Sequence, residues 1–190
     1  MIYLKRFKLH TQQTIMKTIK RTTLAIALFT IISGCSDEEN NREVKSILID
    51  LLKNSHSEQH WFVPMKTAIE GLTAEQSNWR DGTENHSIGE LVSHLVFWNE
   101  INLRALKGED MTDFEVDNET TFKMYTENEW QSLVHKLDSV QTAWEPIILN
   151  ATDEQVTQWS QEIANIQAHN AYHTGQIIYI RKQNGWWTKK

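Results

Sequence analysis

Residues 165–185 have the sequence NIQAHNAYHTGQIIYIRKQNG, in which the isoleucines recur at helical spacing. His169 and His173 lie four residues apart, which is about one helical turn, and fall on the same face as those isoleucines. Gly185 is a typical residue just beyond the end of a helix. The segment therefore predicts a long core helix, over about residues 160–183, that carries a pair of inward-facing imidazoles.

The same spacing predicts three further helices upstream. The first covers about residues 42–69, where Pro64 can kink or split it. The second covers about residues 87–106 and the third about residues 126–149, and each begins with a Ser or Thr followed three residues later by Glu, the pattern of a capping box. No segment shows the sustained alternation of a half-buried strand. Four long helices predict an all-α four-helix bundle.

The second predicted helix supplies a third inward-facing histidine. His94 lies three residues after Leu91 and four before Trp98, and therefore belongs to the apolar face. Opposite His169 and His173, it would complete a three-histidine site with one open coordination position, as in catalytic rather than structural metal sites. Spacing alone leaves open the other interpretation, in which these are buried histidines that form hydrogen bonds.

One carboxylate lies near the predicted site in the sequence. Glu90 precedes His94 by four residues, about one helical turn. It is our candidate for a catalytic acid or base, or for a carboxylate that supports the ligands. A purely structural role in the capping box with Ser87 is the alternative.

A second histidine pair has the same four-residue spacing as His169 and His173. His56 and His60 belong to the first predicted helix and are separated by Ser57, Glu58 and Gln59. Because these neighbours are polar, we interpret the pair as part of a solvated helix face.

The N-terminal 35 residues have the pattern of a bacterial lipoprotein signal. Six basic residues precede the uncharged run TLAIALFTIISGC, residues 23–35, which is too short to span a membrane as a helix. The Ile-Ser-Gly-Cys sequence at its end resembles a lipobox. We therefore predict a signal peptide over residues 1–34, lipidation of Cys35, and an acidic tether over residues 35–42 before the domain at 43–187.

This signal predicts export, with a lipid anchor holding the protein at the periplasmic face or the cell surface. An ordinary cleavage site with a free cysteine is the alternative. Translation could begin at Met1 or at Met16, because the shorter leader is also complete. The single Cys excludes an intramolecular disulfide and a zinc cluster built on several thiolates.

The charge of the chain argues against nucleic-acid binding. Removing the signal takes six of the 19 basic residues and none of the 25 acidic ones, so the net charge changes from −6 to −12. A protein that binds phosphate backbones needs a basic face. The expected partners are instead the membrane, through the lipid anchor, and a second copy of the chain.

Two motifs resemble the DinB/YfiT-like superfamily. The first is HSIGELVSHLVFW, residues 86–98, and the second is H-x3-H-T-G-Q-I followed by Arg-Lys and Gly; the resemblance spans about residues 43–187. It implies a four-helix bundle of the up-down-down-up type. It also implies a divalent metal, nickel or zinc, held by three histidines whose positions match His94, His169 and His173.

The resemblance implies small-molecule chemistry at this metal. A metal-dependent hydrolase would activate water in the open position, whereas a thiol S-transferase would bind and deprotonate a low-molecular-weight thiol there. The alternative function is a non-catalytic envelope lipoprotein that uses the bundle to bind a metal, a ligand or a partner.

Overall fold

A computed structural model describes residues 34–188 of the chain, with side chains from residue 39 onward. The described part is helical and contains no strands, which confirms the all-α prediction. None of its helices combines the length and apolar content needed to cross a bilayer. The α-helices are α1 (Gly34–His56), α2 (Met65–Ile69), α3 (Ala74–Asn78), α4 (Ile88–Leu106), α5 (Glu127–Thr142), α6 (Trp144–Asn150) and α7 (Asp153–Gln183), with a 3₁₀ turn at Asn118–Thr121.

The predicted capping boxes begin the helices as expected. At the start of α4, the Ser87 hydroxyl accepts the Glu90 backbone N–H, and the Glu90 carboxylate accepts the Ser87 N–H at 2.8 Å. A box of the same kind, between Thr126 and Glu129, precedes α5. These reciprocal bonds satisfy backbone donors that a helix leaves unpaired in its first turn.

The first predicted helix is two helices in the structure, because α1 ends at His56 and α2 begins at Met65. Pro64 is the N-cap of α2 and has an extended backbone. Proline is excluded from helix interiors and disfavours helical geometry in the residue before it, so it splits this segment. At its other end, α1 begins at Gly34, so the segment predicted as a tether, residues 35–42, is helical.

The last two predicted helices also have different bounds in the structure. The predicted helix over residues 126–149 breaks at Ala143, and Pro146 then lies in the first turn of α6, where its missing N–H is not needed. Helix α7 begins at Asp153 rather than near residue 160, because Thr152 and Gln155 form a capping box that extends it to 31 residues. Gly185 follows α7 with a φ of 71°, as predicted for a residue beyond a helix end.

Buried amides fix how α4 and α7 face each other. Asn99 and Asn170 are fully buried, and the Asn99 amide donates to Asn170 Oδ1 at 2.7 Å. Trp144 Nε1 donates to Asn99 Oδ1 at 3.1 Å and so links α6 to the same pair. Asn170 directly follows His169, and Asn99 is five residues after His94. The amide pair therefore holds the histidines of the two helices at the same level.

Candidate metal centre

The structure brings the three predicted ligands together. His94 Nε2 lies 3.1 Å from His169 Nε2, and His173 Nε2 lies 2.9 Å from the same atom. The three ligand atoms all fall within 4.8 Å of one another. The His94 and His173 side chains are buried and His169 is partly buried. The cluster therefore contains one histidine from α4 and two from α7, as the helical spacing of the three histidines predicted.

The hydrogen bonds of Thr121 fix the tautomer of His94. The Thr121 hydroxyl donates its single hydrogen to the Asn118 carbonyl at 2.6 Å. Its contact with His94 Nδ1, also 2.6 Å, must therefore be one in which the imidazole N–H donates. A neutral His94 with its proton on Nδ1 presents the lone pair of Nε2 to the other two histidines.

Gln176 has the same effect on His173. The Gln176 carbonyl oxygen accepts from His173 Nδ1 at 2.5 Å, while its amide nitrogen donates to the Tyr172 hydroxyl at 3.3 Å. The proton of His173 therefore lies on Nδ1, and its Nε2 lone pair also points at His169. Such hydrogen bonds to the distal ring nitrogen are typical of metal-binding histidines, because they fix both the tautomer and the ring orientation.

Convergent lone pairs on neighbouring nitrogens repel each other unless a proton or a cation lies between them. Three imidazole nitrogens at about 2.0–2.1 Å from a tetrahedral metal would be roughly 3.3 Å apart, close to the separations of 2.9 and 3.1 Å that His169 Nε2 makes with the other two. The donor set consists of neutral imidazoles with no thiolate or carboxylate, which suits nickel or zinc better than magnesium or calcium. The residues present therefore fit a borderline divalent cation.

The surroundings keep the cluster neutral. Burial, followed by the charge of His169, lowers the pKa of His94 to about 3. Burial, followed by the charge of His173, lowers the pKa of His169 to about 4. The pKa of His173 is also lowered by burial, although its bond with Gln176 opposes the shift. At neutral pH the three rings are uncharged, which is the protonation state that a metal ligand requires.

Glu90 lies outside the cluster and is occupied by other bonds. The Arg80 guanidinium donates to its carboxylate from Nε at 3.0 Å and from Nη2 at 2.7 Å, in addition to the capping bond from Ser87. Burial acts to raise the pKa of Glu90, but the Ser87 and Arg80 bonds outweigh it and the net shift is downward. The carboxylate therefore stays ionised and fixed, and its predicted role in catalysis stays a prediction.

The interpretation of His56 as a solvated residue is wrong. His56 is 8% exposed, and its Nε2 bonds to Asp138 on α5 at 2.9 Å. His60 is exposed and lies in the loop beyond the end of α1. The two residues therefore do not share a helix face, and neither belongs to the three-histidine cluster.

Sequence reasoning did not identify Thr121 as part of the site. It lies in the 3₁₀ turn that follows the polar loop after α4, where no periodicity marks an inward-facing residue. Lys107, Gly108 and the acidic residues after them predict a loop but not which of its side chains turns inward. Asp117, which caps the 3₁₀ turn, was the available local signal.

The family model of the DinB superfamily matches residues 64–177, which is 114 of the 190 residues and includes all three histidines. The chain belongs to the DinB superfamily. This confirms the resemblance that the two motifs carry. No curated protein and no solved structure matches the chain. The matched region begins well after Cys35, and the side chain of Cys35 lies outside the described residues, so the lipid anchor of this DinB-superfamily chain stays a prediction.

Proposed function

We propose that this protein is a metal-dependent enzyme that acts on a small molecule. One divalent ion, nickel or zinc, would be held by the Nε2 atoms of His94, His169 and His173. The observation that carries the proposal is the convergence of these atoms while Thr121 and Gln176 accept the Nδ1 protons of two of the rings. Three protein ligands leave one coordination position of the metal open, which is typical of a catalytic rather than a structural site.

A bound ion would act as a Lewis acid in the open position and lower the pKa of a water molecule or a thiol there. The residues of the chain would contribute orientation and exclusion of water. Phe122 stacks on the ring of His94 with centroids 4.2 Å apart, and Tyr172 packs against His173 at 4.9 Å. These rings cover two of the ligands and reduce the freedom of their imidazoles. Hydrolysis and thiol S-transfer are the two reactions that such a site supports.

A second candidate function is favoured by the bonds of Glu90. A hydrolase of this kind commonly uses a carboxylate as its acid or base, but Arg80 and Ser87 already occupy the carboxylate nearest to the cluster in sequence. This observation supports a non-catalytic lipoprotein that binds a metal or a ligand. In its metal-binding form, this candidate shares the three-histidine site with the enzyme and differs from it only in turnover.

We also propose a bundle of the up-down-down-up type for the long helices, supported by the packing of α7 on α1 and α4 and of α4 on α5. Export and lipidation at Cys35 are proposed from the sequence alone. They would place the site outside the cytoplasm on a membrane-anchored domain.

Metal content and turnover, measured on the same preparations, test the proposal. Elemental analysis of the purified protein after exposure to Ni²⁺ or Zn²⁺ should find about one ion per chain. A screen of aryl esters and of thiol conjugation should then find an activity that is lost in His169→Ala. His135→Ala removes an exposed histidine of α5 and should retain both metal and activity.

The outcomes separate the candidates. A protein that takes up no metal contradicts the metal-dependent enzyme and the metal-binding form of the second candidate, and leaves only ligand or partner binding by the bundle. Full metal loading without turnover in either screen favours the non-catalytic candidate. Turnover that persists in His169→Ala would show that the three-histidine cluster is not the active site.

A further inference from the structure

A groove runs along α7 beside the three-histidine cluster. It encloses about 490 Å³ between α7 and residues 79–86, the segment that leads into α4. Two of its lining residues contact the cluster directly, since Gln176 bonds to His173 and Tyr172 packs against the same ring. A molecule in the groove would therefore lie next to the position where a metal is proposed.

Gly175 lies in the wall of this groove, in the interior of the 31-residue helix α7. A glycine in a helix interior costs about 1 kcal/mol relative to alanine. Packing does not require it, because an added Cβ would meet no atom within 4 Å, and its φ is not positive. Its effect in the structure is to leave this part of the groove open.

Four aromatic rings also line the groove. Trp79, His86, Tyr172 and Tyr179 line it, and the two tyrosines are 63% and 69% exposed. The ring of His86 is held by stacking on Phe122, with centroids 3.6 Å apart. Its Nδ1 atom is buried and has no hydrogen-bond partner among the described residues. Exposed aromatic faces in a cavity wall are typical of a ligand site.

The charge of the groove is negative. Among its lining residues, Arg80 is neutralised by its ion pair with Glu90, while Asp81 and Glu84 form no ion pair with any described residue. Asp81 accepts hydrogen bonds from Thr83 and Asn85, which lower the pKa of its carboxyl to about 2. Two uncompensated carboxylates therefore accompany the aromatic faces.

We propose that this groove binds an organic cation, a small molecule with a positively charged nitrogen on an apolar body, and that Gly175 keeps the groove open for it. Aromatic faces attract such cations through the ring quadrupole, and the carboxylates of Asp81 and Glu84 add Coulombic attraction. The inference rests on the proposed function, because it specifies the substrate class of that site.

Three probes of similar size and different charge test the ligand class: benzyltrimethylammonium, benzyl alcohol and benzenesulfonate. A bound divalent ion would add two positive charges beside the groove, so the charge preference is measured first on the metal-free protein, in the presence of a chelator, and then on the zinc-loaded protein, where it should be smaller. In an NMR titration of the metal-free protein, the amides of residues 79–86 and 172–183 should shift. Benzyltrimethylammonium should bind the most tightly and benzenesulfonate the most weakly, with a difference that shrinks at higher salt.

Two sets of variants test the residues. Asp81→Asn combined with Glu84→Gln should weaken the cation about fivefold or more, with little effect on benzyl alcohol. Gly175→Leu fills the groove and should abolish binding of both probes, while Asn165→Leu adds the same side chain at an exposed position of α7 outside the groove and should not. Gly175→Ala should raise the melting temperature, since it removes the helix penalty without a clash.

The inference is overturned if benzenesulfonate binds as tightly as the cation, or if Gly175→Leu leaves the affinities unchanged. Metal content, measured on the same samples, separates it from the proposed function. A protein that takes up metal, but whose metal-free form prefers the anion, contradicts the inference alone. A protein that takes up no metal but binds the probes in the expected order contradicts the proposed function alone.

Discussion

Two histidine pairs with identical spacing have different environments in this protein. His169 and His173 lie within the long helix α7, and their Nε2 atoms meet that of His94. His56 is the last residue of α1, so that His60 lies beyond the helix end and is exposed. A four-residue spacing thus produces a pair of ligands only when the helix continues through both residues.

The partners of the two pairs differ as well. His94 approaches the first pair with its Nε2 lone pair, which is the arrangement that a cation favours. Asp138 approaches His56 with a carboxylate at 2.9 Å, and Lys66 also bonds to that carboxylate at 3.2 Å. His56 therefore donates to an anion and forms a structural polar contact. The environment of the imidazole nitrogen, rather than the spacing, distinguishes a metal site from a buried hydrogen bond.

The largest expected effect is a loss of metal affinity when one residue of the α7 pair, but not of the other pair, is replaced. His169→Ala removes the nitrogen that the other two approach, and should lower the affinity for Zn²⁺ or Ni²⁺ by more than about 100-fold, because two imidazoles remain. His56→Ala should leave the metal affinity within about twofold of the unaltered protein. Competition titration against a chelating dye measures both. Equal losses of metal affinity in the two variants, or a loss only in His56→Ala, would contradict this prediction.

A smaller effect is expected from the hydrogen bond that orients His94. Thr121→Val keeps the shape of the side chain but removes the acceptor for Nδ1, and should weaken metal binding about 10- to 100-fold. Thr120→Val is the matched control, since Thr120 is exposed and its hydroxyl bonds only to the Asp117 carbonyl. The same titration should show no change for this control. An unchanged affinity in Thr121→Val would show that the tautomer of His94 does not depend on this bond.

A further prediction concerns the stability of the metal-free protein. The pKa values of His94 and His169 in the folded protein, about 3 and about 4, are below the ordinary value of 6.5. Between pH 6.5 and these lowered pKa values, the unfolded chain therefore binds more protons than the folded protein. The free energy of unfolding should therefore fall as pH decreases from 6.5 towards 4, by at most about 1.4 kcal/mol per pH unit for each histidine.

Urea unfolding in the presence of a chelator at several pH values measures this slope. His94→Gln should reduce the slope of the free energy of unfolding against pH by up to about 1.4 kcal/mol per pH unit, the contribution of one bound proton. His60→Gln, at an exposed position, should not alter the slope. A decline of the same steepness in His94→Gln would mean that His94 does not contribute to the pH dependence.

The parts of the fold that sequence predicts well are those set by local interactions. The capping boxes at Ser87 and Thr126 place the starts of α4 and α5, because their bonds lie within three residues. The helical spacing of His169 and His173 places both on one face of α7. Pro64 and Pro146 each accompany a break, but the sequence does not show how far the chain departs from helical geometry around a proline.

The remaining features depend on contacts between distant residues. The burial of His56 results from Asp138, which is 82 residues further along the chain. Thr121 contacts His94 from an irregular turn, and Arg80 occupies Glu90 from the loop before α4. None of these partners has a spacing that a single sequence reveals. The ligands of the candidate site could therefore be predicted, whereas the residues that orient or occupy them could not.

Histidine ring nitrogens report most directly on the proposed metal centre. Long-range ¹H–¹⁵N spectra should be recorded on the purified protein during titration with Zn²⁺, which is diamagnetic. The account predicts that the Nε2 resonances of His94, His169 and His173 shift together and saturate at about one ion per chain, with the protons of His94 and His173 remaining on Nδ1. Shifts at His56 or His60 instead, or no saturable shift at the three histidines, would contradict it.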